Sequence, residues 1–140
     1  MFDTIVWASD GSPNADHALE VAKLLARDHE ASLVVVHVAQ HYATKSGLAV
    51  YPDEEFVKTR LEQKVAELAE EGFNPQLKVI DHVGPHAAHD IADAARNAGA
   101  DVIVMGTRGH SPIPGLLLGG VVQRLLHVAP CPVMVVPPAS

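Results

Sequence analysis

The stretch that decides the fold is Asp101-Val102-Ile103-Val104-Met105-Gly106-Thr107-Arg108-Gly109-His110-Ser111-Pro112-Ile113-Pro114-Gly115, continuing as Leu116-Leu117-Leu118-Gly119-Gly120-Val121-Val122. It opens on a β-branched run, passes through five glycines in the fifteen residues 106–120, and ends where a helical pattern begins. Glycine turns the backbone where other residues resist, and it lets a bulky anion come close to the main chain. Consecutive inward N–H groups make an anion nest. A helix start at Gly119–Val122 would add a second set of phosphate-binding amides. The plainer alternative is a loose loop before a helix. Glycines at both ends of a leucine triplet argue against it.

Working outward, four more apolar runs match the first in kind: Thr4–Ala8, Ser32–Val38, Leu77–Ile80 and Val133–Val136. Continuous Val/Ile runs of this length fit strands covered on both faces, as in a parallel sheet. Between them lie helical stripes. Ala15, Ala18, Leu19, Ala22, Leu25 and Ala26 form one; Val57, Leu61, Val65 and Leu68 form another. Ala87, Ala88, Ile91, Ala94, Ala95 and Ala98 form a third, and Val121, Val122, Leu125, Leu126 and Val128 a shorter fourth. Gly72 and Gly99 stand where helices would be capped. The order β-α-β-α-β-α-β-α-β predicts an α/β fold with a mainly parallel sheet and right-handed crossovers. Residues from about Gln40 to Pro52 read as a mobile loop, and the Pro-Pro tail as a frayed end.

With 140 residues and 48% hydrophobic content, one domain spanning 1–140 is expected. A net charge of −7 with scattered basic residues excludes a broad nucleic-acid surface. A single cysteine, Cys131, excludes an internal disulfide framework. No basic and apolar leader opens the chain and no run approaches a membrane span, so a cytoplasmic protein without membrane association is expected.

In doubly wound sheets, ligands sit beyond the carboxyl ends of the strands where strand order reverses. The loop after the first strand, Ser9-Asp10-Gly11-Ser12-Pro13, offers a carboxylate for a sugar hydroxyl, an adenine amine or a phosphate-bound metal. Asp10 or Ser12 could equally cap the next helix, and the residues alone leave both open. Known motifs fail on their letters. Gly115 and Gly120 have P-loop spacing, but Val121-Val122 stands where Lys-Ser/Thr is required. Gly11 alone follows the first strand, so the dinucleotide fingerprint is missing. Gly109-His110-Ser111-Pro112-Ile113 lacks the last glycine of a nucleophile elbow.

The spacing Gly106-x2-Gly109-x9-Gly119 resembles the loop of the universal stress proteins. Asp10-Gly11-Ser12, residues 101–109 and Pro130-Cys131-Pro132-Val133-Met134-Val135-Val136 resemble that family's other signatures, and the resemblance spans the chain. It implies a five-stranded parallel sheet in order 3-2-1-4-5, a Rossmann-like fold of the adenine nucleotide alpha hydrolase type, with ATP between the first and fourth strands. Both candidate loops follow those two strands, and one pocket needs them adjacent. The resemblance assigns Asp10 to ribose, adenine or Mg²⁺, and Ala8 and Val38 to the adenine border. It assigns Met105, Gly106, Arg108 and Gly109 to one side of the nucleotide, and Gly119, Gly120, Val121 and Val122 to the other. There is one departure: Gly120 stands where the family usually has a hydroxyl residue. One lost charge-assisted hydrogen bond is worth about 1.5–3 kcal/mol, enough to weaken ATP or favour AMP or ADP.

Other residues carry weaker signals. His82, His86 and His89 could form a metal site, or simply mark a polar helix start. His110 is a candidate for phosphate contact; His37 and His127 read as structural, Trp7 as core, and Cys131 as buried and inert. The strand Val133–Val136 is apolar on both faces and would lie at a sheet edge, which predicts homodimerisation through it; the resemblance agrees. No nucleophile–base pair is visible, so the expected function is adenine-nucleotide binding in a stress or regulatory role with little turnover. The alternatives are a nucleotide-free interaction module and a slow Mg²⁺-dependent ATP hydrolase acting through Asp10.

Overall fold

The computed structural model describes residues 2–44, 47–50, 54–83, 87–107 and 119–138. In chain order the elements are β1 (Thr4–Ala8), α1 (Pro13–His29), β2 (Ser32–Thr44), β3 (Gly47–Val50) and α2 (Glu54–Glu70). They continue as β4 (Asn74–Val83), α3 (Ala87–Ala98), β5 (Val102–Gly106), α4 (Gly120–Val128) and β6 (Val133–Val136). The parallel strands run β4-β2-β1-β5-β6, which is the expected 3-2-1-4-5 order counted over those five.

β1 is central because every residue from Ile5 to Ala8 is buried, on alternating faces. Ile5 and Trp7 pack with Leu33, Val35, Val102 and Val104 under α1 and α2. Val6 and Ala8 pack with Val34, Val36, Ile103 and Met105 under α3 and α4. This is the two-faced burial that continuous apolar strands require. The Ala-rich stripes let α1 and α3 approach the sheet closely: Ala18, Ala22, Ala88 and Ala95 are all buried. Trp7 is core, as expected, and its indole Nε1–H donates to the Ala15 carbonyl at 2.8 Å. A large apolar surface is thus buried without stranding a polar atom.

The helix ends follow from local chemistry. Ser12 caps α1, its hydroxyl accepting from the Ala15 N–H, with Pro13 at the first turn. Gly72 and Gly99 stand just past α2 and α3 with φ of 96° and 67°, where glycine carries no Cβ penalty. α1 instead ends on Glu30 at φ 53°.

The expectation for residues 40–52 is corrected. β2 runs on to Thr44 and pairs antiparallel with β3, from His41↔Val50 to Thr44↔Gly47. β4 supports the extension, matching β2 in parallel from Ser32↔Asn74 to His41↔Val83. Once β2 outruns the short β1, these ladders supply its backbone partners. Lys45, Ser46 and residues 51–53 lie outside the described residues. His127, expected to be structural, is exposed on α4.

Asp101, just before β5, holds the start of β1. Its Oδ2 accepts from the Asp3 N–H at 2.7 Å and the Thr4 N–H at 3.0 Å. These two backbone donors, Asp3 first, hold its carboxyl below the ordinary value of 3.8. A depressed folded-state value contributes stability above the carboxylate range and loses it as pH falls through that value. Asp101→Ala is therefore expected to lower the melting temperature at neutral pH, with the gap to the parent closing under acid. Melts across pH check this; a gap independent of pH would contradict it.

Candidate functional site

β1 and β5 lie side by side in parallel, from Ile5↔Val102 to Trp7↔Val104. The chain leaves β1 toward β2 on one side and β5 toward β6 on the other. The order reverses between them, and at such a switch point the loops diverge and leave a crevice. Ala8, Asp10, Met105 and Gly106 therefore meet at one end of the sheet.

The turn after β1 is built from local side-chain bonds. The Ser9 N–H donates to the Val36 carbonyl at 3.0 Å, carrying the ladder one residue past the strand. Ser9 Oγ accepts from the Gly11 N–H at 3.1 Å, and Asp10 Oδ1 accepts from the Ser12 N–H at 2.9 Å. This is the Asx geometry that favours aspartate in turns. The capping question left open by the residues is answered: Ser12 caps α1 and Asp10 shapes the turn, half-buried at the mouth of the crevice. Gly11 is required there. Its φ is 83°, and a Cβ would lie 2.9 Å from a Val57 methyl of α2.

On the β5 side, Met105 and Gly106 are buried. A Cβ on Gly106 would press on the backbone of Asn14, with its carbonyl oxygen at 3.1 Å, so this glycine also lets α1 approach β5. The Thr107 carbonyl accepts from the Gly119 N–H at 2.7 Å, and the Thr107 N–H donates to the Val136 carbonyl at 3.2 Å. These bonds fix the base of the glycine loop against β6. Gly119 caps α4 without a side-chain bond, and the first intrahelical bond runs from the Gln123 N–H to the Gly119 carbonyl. The amides of Gly120, Val121 and Val122 precede that bond, the arrangement that suits an anion. Gly120 and Val121 are exposed and Val122 is buried. Among the described residues, a Cβ on Gly120 would meet nothing within 4 Å.

Val38, half-buried on β2 two residues past the partner of Ala8, packs at the edge of the core beneath α3 and α4. Arg108, Gly109 and His110 lie outside the described residues, as do His86 and the side chain of His82. Among the described residues no group of three His, Cys, Asp or Glu side chains is placed to hold a metal. Burial pushes the Cys131 thiol up, with Asp101 adding to the effect, which fits an unreactive thiol.

Reading the residues alone missed the contribution of α2. His37, taken as structural, is 3% exposed and spans two acceptors. Its Nδ1 lies 2.8 Å from the Ser9 carbonyl, and its Nε2 lies 2.8 Å from Glu54 Oε2. A carbonyl only accepts, so Nδ1 carries a proton and donates. Arg60 reaches the Gly11 carbonyl at 3.3 Å and Asp16 Oδ2 at 2.9 Å. The one available signal was a histidine inside an apolar strand.

This is a doubly wound α/β protein whose candidate site lies at the switch point of its sheet. The universal stress protein family model matches residues 1–137, and the chain belongs to that family. It is 38% identical over 140 residues to the universal stress protein in QAH/OAS sulfhydrylase 3′ region of Thermus aquaticus, covering 97% of this chain and 99% of the relative. Its fold is similar to a solved universal stress protein in complex with cAMP, with a TM-score of 0.70, 22% identity, and 96% and 97% of the two chains covered. The universal stress protein from Archaeoglobus fulgidus in complex with dAMP is also similar, with a TM-score of 0.69, 22% identity, and 96% and 97% covered.

Because Gly11 is both left-handed and in contact with α2, Gly11→Ala is expected to destabilise the fold by roughly 1–3 kcal/mol. Urea unfolding followed through Trp7 fluorescence reads this as a lower midpoint. An unchanged midpoint would contradict the turn geometry.

Proposed function

We propose that this universal stress protein binds an adenine nucleotide, ATP or its mono- or diphosphate, in the crevice between β1 and β5 and turns it over little or not at all. The observation that carries the reading is the convergence of the Asp10 turn, the Gly106 end of β5 and the N-terminus of α4 at the switch point. The cAMP and dAMP bound by two structural relatives support the ligand class. Ala8 and Val38 would border the base, Asp10 the ribose or base, and Met105 and Gly106 the nucleotide beside β5. Arg108 and Gly109 would wrap the phosphates, and the amides of Gly119 to Val122 would receive them. Any Mg²⁺ accompanying the phosphates would draw on the Asp10 carboxylate. The protein would act in the cytoplasm as a homodimer. β6, with Met134 36% exposed, offers an apolar sheet edge for that pairing.

Gly120 bears on which nucleotide is held. Among the described residues, nothing occupies the space that a side chain would take there. Gly120→Ser would restore a donor at the helix start, and one such bond to a charged group is worth about tenfold or more in affinity. Two measurements test the proposal. Purified protein is denatured and its supernatant assayed for nucleotide by ion exchange; ATP, ADP, AMP and cyclic AMP are then titrated by calorimetry. Binding is expected, with Gly120→Ser tightening ATP about tenfold and AMP little. No retained nucleotide and no heat at millimolar ligand would overturn the proposal and favour the interaction module, which the departure at Gly120 also motivates.

A further inference from the structure

α2 grips the Asp10 turn from outside the crevice. Glu54, Val57 and Arg60 follow at three-residue spacing, which places them along one side of a helix. Each engages a different part of the turn. Glu54 holds the His37 ring, whose Nδ1–H donates to the Ser9 carbonyl. Val57 packs its methyls into the space a side chain at Gly11 would need. Arg60 donates to the Gly11 carbonyl and pairs with Asp16, fastening the turn to the first turn of α1. The carbonyls of Ser9 and Gly11 are therefore both fixed by side chains that belong to neither β1 nor α1.

We propose that His37 and Arg60 are positioning residues for ligand binding: His37 holds the Ser9–Asp10 peptide and Arg60 the Gly11–Ser12 peptide, whose N–H bonds the Asp10 carboxylate, so that the carboxylate is set before the nucleotide arrives. The inference rests on the nucleotide-binding reading of the crevice. Its physical basis is preorganisation: a turn that must be ordered on binding spends part of the interaction energy on that ordering. The His37–Glu54 contact is itself well placed to hold the ring. Glu54 is 16% exposed and His37 is buried, so water competes weakly for either partner.

Two substitutions at one position separate positioning from simple packing. In His37→Asn the side-chain amide nitrogen falls where Nδ1 was, so the bond to Ser9 can survive while the Glu54 contact is lost. In His37→Gln the amide nitrogen falls where Nε2 was, so the reverse holds. Calorimetry with AMP and ATP on the full chain is expected to show His37→Asn within about threefold of the parent and His37→Gln weaker by about tenfold. Arg60→Met is expected to weaken binding several-fold with its melt still cooperative. Equal losses in the two His37 variants, or no loss in His37→Gln and Arg60→Met, would overturn the proposal. A ligand-free readout keeps it distinct from the function itself. The backbone amide signals of Asp10, Gly11 and Ser12 in an ¹⁵N spectrum should move in His37→Gln and stay close to the parent in His37→Asn. If the parent protein bound no nucleotide, the proposed function would fail. The amide signals alone would then decide whether His37 sets the turn, and unmoved signals in His37→Gln would overturn that too.

Discussion

Ile5, Val6 and Trp7 sit opposite Val102, Ile103 and Val104 in a parallel ladder, and the candidate site hangs from that pairing. It sets the end of β1 against the end of β5, so that Ser9 and Asp10 leave the sheet beside Gly106 and Thr107. The ladder holds because both strands are buried on both faces, with Trp7, Ile103 and Val104 fully so. A parallel pair of this kind needs helices on each side. The small stripes of α1 and α3 satisfy that need at close range. Gly106 shows the constraint at its tightest, since the backbone of Asn14 occupies the space beside it.

The strand and helix alternation was legible because each apolar run and each stripe has its own period. Boundaries came close where punctuation is chemical: Gly72, Gly99 and the cap candidate Ser12 mark ends that the structure keeps. The β2–β3 hairpin was not legible. Gly47 and the polar residues around it resemble a loop locally; β2 runs on this far beside β4, a partner distant in sequence, and β3 then folds back on it as a hairpin. The same limit hid the support of the site. Arg60 lies 49 residues from Gly11 and 44 from Asp16, and no local pattern announces such pairs. Asp10 and the helix start at Gly120 were legible because turn and cap chemistry is local.

The overall charge of −7 is compatible with a phosphate ligand. The groups offered at α4 are backbone N–H groups, oriented by the helix and carrying only partial charge. A site made this way owes little to the protein's net charge, and its reach falls off within the first turn. It owes much to geometry, which the bond from the Gly119 N–H to the Thr107 carbonyl supplies by fixing the helix start to the end of β5.

In the proposed function one ligand is held jointly by the turn after β1 and the start of α4. Amide chemical-shift mapping of the ¹⁵N-labelled protein during titration with AMP and then ATP tests it most directly. Signals from Ser9 to Ser12 and from Gly119 to Val122 are expected to move together along a single saturating curve. Shifts confined to one of the two segments, or gathered elsewhere on the sheet, would contradict it.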